Sequence, residues 1–95
     1  MLTFEWDSEK EKSNIEKHNG ITFKMAAQVF FDPHVLIKYD AKHSTISEER
    51  WKAIGMAGDI LFVVFTERGN DTIRIISARP AQTEEINEYF SNYDT

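Results

Sequence analysis

A chain of 95 residues with 41% hydrophobic and 13% aromatic content is too short for more than one core and too apolar to stay unfolded, so residues 1–95 are read as a single domain. Cysteine is absent, which excludes disulfides, thiolate nucleophiles and cysteine-based zinc sites and suits a reducing cytoplasm. The formal charge of −5 means that any site for a polyanion has to be a local cationic patch, and it equally suits encounter with a basic protein segment.

The opening run MLTFEWDSEKEK is charged where a signal peptide would be apolar. The longest apolar run, Ile60 to Phe65, is far below the ~20 residues of a membrane span, so a cytoplasmic protein with no membrane contact is expected. Thr3 to Trp6 is a short β-prone run, and Asp7 stands where an N-cap belongs. A first helix is expected from Ser8 to His18, closed by Asn19-Gly20. Beyond Ile15 it has almost no apolar side chain, yet Lys10, Asn14, Lys17 and His18 fall within one face roughly 100° wide.

Thr22 can cap a second helix whose residues Phe23, Ala26, Ala27 and Phe30 recur at i, i+3, i+4 and i+7, until Asp32-Pro33 ends it. From Val35 the period changes to two, giving a strand to Asp40, a polar loop from Ala41 to Ile46, and three further strands at 49–56, 60–67 and 72–79. The short glycine-bearing links between these strands predict antiparallel hairpins, and ILFVVF, apolar on both faces, predicts the central strand. Pro80 stops the last strand, and Thr83 caps a closing amphipathic helix that carries Ile86, Tyr89, Phe90 and Tyr93.

His18, His34 and His43 show no metal-ligand spacing, and no phosphate-binding glycine loop is present, so neither a metal nor a cofactor is expected. What remains is acid–base and cationic chemistry. Arg50, Arg68, Arg74 and Arg79 converge on one antiparallel sheet, an arrangement that suits phosphate. RNA is cut without metal when its 2′-OH attacks the adjacent phosphorus, which requires a base, cations for the phosphorane and an acid for the leaving oxygen. Each candidate also has a plainer role. His18 suits the negative end of a helix dipole, Lys10 and Lys17 suit a solvated face, and Trp6 and Trp51 suit core or interface packing. Arg74 and Arg79, five residues apart, alternate onto opposite faces unless the strand twists or bulges, and either could instead pair with Glu67 or Glu49 across the sheet.

Four stretches, FEWDSEKEKSNIEKHNGITF at 4–23, FFDP at 30–33, SEERWKAIG at 47–55 and TERGNDTIRIISARP at 66–80, together resemble the BrnT toxin family over nearly the whole chain. The resemblance implies an α+β, RelE-like fold with two N-terminal helices, a four-stranded antiparallel sheet and a C-terminal helix. It also implies a type II toxin, an endoribonuclease that cleaves RNA and inhibits translation. Its implied partner is a BrnA-like, DNA-binding antitoxin that neutralises it in a hetero-oligomer and carries any contact with DNA. Carried onto this sequence, the family's pattern assigns His18 or Glu67 as proton shuttles and Arg50, Arg74, Arg79 and Lys17 as phosphate binders; Lys10 on the polar face of the first helix and Arg68 in the last hairpin are expected as further RNA contacts. Asn19 lengthens the usual Lys-His-Gly sequence by one residue, and Pro80 departs from the usual end of the Ile-Ser-Ala-Arg strand. Two other readings stay open: a non-catalytic module that completes an antitoxin complex, and a purely structural small domain stabilised by dimerisation.

Overall fold

The computed structural model describes residues 1–93. The first strand, β1 (Thr3–Glu5), is followed by α1 (Ser8–Lys17), α2 (Phe23–Gln28) and a 3-10 turn at Val29–Phe31. Then come β2 (Leu36–Tyr39), β3 (Trp51–Ala57), β4 (Asp59–Arg68), β5 (Thr72–Pro80) and α3 (Thr83–Tyr93). The sheet has five strands in the order β1-β5-β4-β3-β2, so the doubly apolar β4 lies at its centre.

The expected four-stranded antiparallel sheet preceded by two helices is corrected in one respect that matters. The β-prone run at the start adds to the outer edge of β5 in parallel, with Thr3, Phe4 and Glu5 in register with Thr72, Ile73 and Arg74. The sheet is therefore mixed, and the two helices lie within it in chain order, between β1 and β2. Three residues were too few to reveal a partner 69 positions away; the pairing is sealed by the Thr3 and Thr72 hydroxyls, 2.9 Å apart. The second helix is also shorter than its apolar stripe suggests. It stops at Gln28 and tightens into the 3-10 turn, with Val29 fully buried.

Two apolar layers flank the sheet. On one face, Phe23, Ala26, Ala27 and Val29 pack on Ala53, Leu61, Val63, Phe65, Ile73, Ile75 and Ala78. On the other, α3 brings Tyr89 and Ile86 over Ile54, Ile60, Leu36 and Phe62, covering only the end of the sheet where these residues lie. The rest of that second face carries mainly polar side chains, with Val64 among them. No helix among the described residues is long and apolar enough to cross a membrane.

Asp32 ties the layers together. Its carboxylate accepts from the Tyr89 hydroxyl at 2.6 Å, from the Met56 amide at 2.8 Å and from the His34 amide at 2.9 Å. Burial pushes its pKa up, but the hydrogen bonds from Tyr89, His34 and Met56 outweigh this and hold it below the usual range. Burial and the same carboxylate push the Tyr89 phenol up to about 12.

Gly55 marks a close approach between layers: a Cβ there would lie 2.9 Å from the Val29 Cβ and 3.1 Å from the Val29 carbonyl oxygen. Because backbone cannot yield as a side chain can, Gly55→Ala is expected to cost about 1–3 kcal/mol in urea denaturation, with the 3-10 turn displaced. The raised phenol sets a second expectation. Its neutral form is favoured in the fold, so the associated stability is intact below pH 10 and is lost as the pH rises towards about 12. Tyr89→Phe is expected to abolish that alkaline slope while lowering stability at neutral pH by about 1.5–3 kcal/mol, both read from urea midpoints across a pH series.

Candidate functional site

The first helix is held by polar atoms. Asp7 caps it by accepting from the amides of Glu9 and Lys10, which lowers the Asp7 pKa. The residues it turns inward are Glu11, Asn14, Ile15 and His18, an i, i+3, i+4, i+7 stripe in which only Ile15 is apolar. Asn14 is 5% exposed. Its amide donates to the Ala78 carbonyl at 2.8 Å and the Ile21 carbonyl at 3.1 Å, and its oxygen accepts the Ala78 N–H at 3.0 Å. One side chain thus occupies the edge of β5 just beyond the point where β1 ends, pairing with it as another strand would. Glu11 accepts the Phe23 amide at 2.8 Å, which fastens α1 to the start of α2.

At the helix end, His18 is the C-cap, and its N–H donates to the Asn14 carbonyl at 2.9 Å. Asn19 and Gly20 follow at φ 54° and 80°. Both are left-handed positions, which asparagine and glycine tolerate.

The last strand is irregular. Val64 pairs with Ser77 but Phe65 pairs with Ile75, leaving Ile76 as an extra residue in a β-bulge. The consequence corrects the strict alternation expected from sequence. Ile73, Ile75 and Ala78 all face the helix-covered core, so Arg74 and Arg79 share the opposite face, together with Ser77.

Between α1 and this bulge lies a hollow of about 290 Å³ lined by Lys10, Lys17, His18, Arg50 and Ser77, with Ser13, Asn14 and Ile76 completing it. Among the described residues neither Lys10 nor Lys17 has an ion pair, and no carboxylate lines the space. Arg50 enters from the residue before β3. Its backbone N–H donates to the Ser44 hydroxyl at 2.8 Å, and its Nε donates to Glu48 at 3.1 Å. A larger hollow of about 430 Å³ at the β3–β4 ends carries Glu48, Glu49 and Glu67 against a single arginine, Arg68, and is unsuited to an anion.

The remaining sequence candidates lie elsewhere. Arg74 is paired with Glu5 at 2.6 Å. Arg79 is bound by both oxygens of Glu85 at 2.8 Å, donates to the Pro80 carbonyl and lies 4.1 Å over the Phe62 ring. Burial raises the pKa of Glu85, and the Arg79 hydrogen bonds outweigh it, leaving it below the usual range. Neither arginine takes Glu67 or Glu49 as its partner. Glu67 pairs in register with Ile73 and lines hollows on the helix-covered side, away from His18. Arg68 lies 3.6 Å from Glu48. The structure therefore brings together Lys10, Lys17, His18 and Arg50, and not Glu67, Arg68, Arg74 or Arg79. Sequence reading missed the roles of Ser44, Glu48 and Ser77 in shaping the site. Its one available signal was the failed alternation from Ile75 to Ala78.

The model of the family described as the BrnT ribonuclease toxin of type II toxin–antitoxin systems matches residues 6–85. The crystal structure of the Brucella abortus ribonuclease toxin BrnT is similar, with 26% sequence identity and a TM-score of 0.67 over 87% of this chain and 100% of that one. No curated protein sequence matches.

Removing the Asn14 amide leaves three backbone groups of Ala78 and Ile21 without their partner. Asn14→Ala is expected to destabilise the fold by about 3 kcal/mol, since each buried orphan costs on the order of 1–3 kcal/mol. Asn14→Asp is expected to be worse at neutral pH, because a carboxylate would face two carbonyl oxygens, and to recover in part on acidification; urea midpoints at two pH values check both.

Proposed function

Because the chain belongs to the BrnT family of ribonuclease toxins of type II toxin–antitoxin systems, we propose that it cuts RNA in the hollow between α1 and the bulged strand β5. The observation that carries this reading is the convergence there of Lys10, Lys17, His18 and Arg50 in a chain whose overall charge is −5. Lys10 and Lys17 have no ion pair among the described residues and Arg50 keeps only the one with Glu48; grouping such charges costs repulsion, and an anionic ligand offsets it.

The chemistry follows from the groups available. His18 is the imidazole that lines the hollow, and it takes the proton from the attacking 2′-OH or returns one to the leaving 5′-oxygen. Lys17, Lys10 and the Arg50 guanidinium hold the phosphate and stabilise the extra negative charge of the phosphorane. A lining of cations without carboxylates is a poor donor set for a divalent ion, which supports a metal-independent route. Arg74 and Arg79 take a scaffolding role in this reading, holding β1 and α3 to β5 through Glu5 and Glu85. Glu67 stands outside the reaction.

In the cell, this activity would stop translation by destroying RNA until a cognate, BrnA-like, DNA-binding antitoxin neutralises the chain. Expression without that partner is expected to arrest growth, and His18→Ala to relieve the arrest. With purified protein in EDTA, His18→Ala is expected to slow RNA cleavage by about 10²–10⁴-fold. Lys17→Ala and Arg50→Ala should each slow it by about 10- to 100-fold, with unchanged melting. Glu67→Ala is expected to keep the wild-type rate. Cleavage that survives loss of His18 and Lys17 together would remove the hollow as the site.

A further inference from the structure

The second face of the sheet, beyond the part that α3 covers, carries an ordered row of side chains. Lys38 on β2 is in register with Lys52 on β3, Lys52 with Val64 on β4, and Val64 with Ser77 on β5. Paired residues in a ladder project to one face, so all four lie on the same side, and Ser77 is itself a wall of the cationic hollow. With strands spaced about 4.8 Å apart, the row runs roughly 14 Å from the hollow across the sheet.

Its composition is unfavourable for the isolated fold. Like charges directly opposite one another on antiparallel strands are destabilising. Lys38 is relieved by an ion pair with Glu88 of α3. Lys52 has no ion pair among the described residues, although it is half-buried and its charge reaches both Asp40 and Glu85. Those two carboxylates are already engaged, Asp40 by the His43 ring at 2.9 Å and Glu85 by the Arg79 fork. Glu48 and Glu5, the other acids of this region, hold Arg50 and Arg74. An unpartnered lysine therefore remains in line with the hollow, on an open strip of sheet bounded by α3 on one side.

We propose that Lys52 is a substrate-binding residue, holding a backbone phosphate that flanks the scissile one, so that a single RNA strand lies along the Lys52–Val64–Ser77 row and enters the hollow at Ser77. This rests on the reading of the hollow as the RNA site and extends it across the sheet. A single strand fits because the hollow, walled by α1 and the bulge, takes one backbone, while Val64 supplies an apolar patch between the two charged ends.

The test uses the full chain and a short 2′-O-methyl RNA oligonucleotide, which binds but cannot be cut, followed by fluorescence anisotropy across a salt series. Lys52→Ala and Lys52→Gln are each expected to weaken binding about three- to tenfold at low salt and to reduce the slope of log affinity against log salt by about 0.7, the signature of one lost phosphate contact on a single strand. Lys52→Arg is expected to restore both affinity and slope. Lys24→Ala, an exposed lysine of α2 outside the row, serves as the control and should leave both unchanged. Wild-type affinity and slope in the Ala and Gln variants would overturn the proposal, as would a wild-type chain that does not bind the oligonucleotide. Wild-type binding that depends on Lys52, in a protein that fails to cleave ordinary RNA, would leave the strip standing and remove only the nuclease.

Discussion

The arrangement of the molecule depends on one buried amide. α1 has a single apolar residue in its inward stripe and cannot be held to the sheet by burial of hydrocarbon, which stabilises α2 and α3. Asn14 supplies what is missing. Where β1 ends, the edge of β5 would otherwise present an unpaired N–H and C=O at Ala78 beneath the helix, and the asparagine amide has the one donor and one acceptor geometry that closes both. The remaining amide hydrogen reaches Ile21 and so fixes the turn into α2. Every distance from His18 or Lys17 to the sheet follows from that anchor, because both lie within one helical turn of it.

The bulge at Ile76 is the second device, and it works together with the first. Without it, the strand would alternate regularly and carry Arg74 and Arg79 to different faces. With it, Ala78 keeps its place in the core and its register with Asn14, while Ser77 and the two arginines turn to the open side. The arginines are then taken up by acids from neighbouring elements, Glu5 from β1 and Glu85 from α3, so their charge serves attachment. An acidic chain thereby neutralises much of its positive charge in structural pairs and leaves Lys10 and Lys17 without an ion pair among the described residues, beside Arg50, which Glu48 holds.

Much of this order was legible in the sequence. Caps at Asp7 and Thr22, the period of two from Val35 onward, the doubly apolar ILFVVF and the closing amphipathic helix each rest on local rules, and the corresponding elements form. The resemblance to the BrnT family, read from four motifs, agrees with the family match over residues 6–85. Long-range facts were not legible. The parallel pairing of a three-residue strand, the contact of Asn14 with Ala78 across 64 positions and the choice of Glu5 and Glu85 as arginine partners leave no periodic trace. In Glu11, Asn14, Ile15 and His18, the docking pattern was present but written in polar residues, which a search for apolar stripes passes over. Asp32 was visible only as the end of a helix, although it joins three elements through Tyr89, Met56 and His34.

The polar character of α1 bears on the site itself. A helix held by hydrocarbon would bring apolar side chains to its sheet-facing side, and the cations on its flank would be displaced toward solvent. Docking through an amide and a carboxylate keeps the interface narrow, leaving Lys10, Lys17 and His18 beside the seam. The C-terminal end of the helix dipole also favours the positive charge of Lys17, which reduces the repulsion of holding it near Arg50. Stability and the proposed RNA binding thus draw on different atoms of the same short helix: Glu11 and Asn14 fix its position, and Lys10 and Lys17 beside them are left free of ion pairs among the described residues. That division explains how a protein with more acid than base can keep a cationic hollow without unfolding around it.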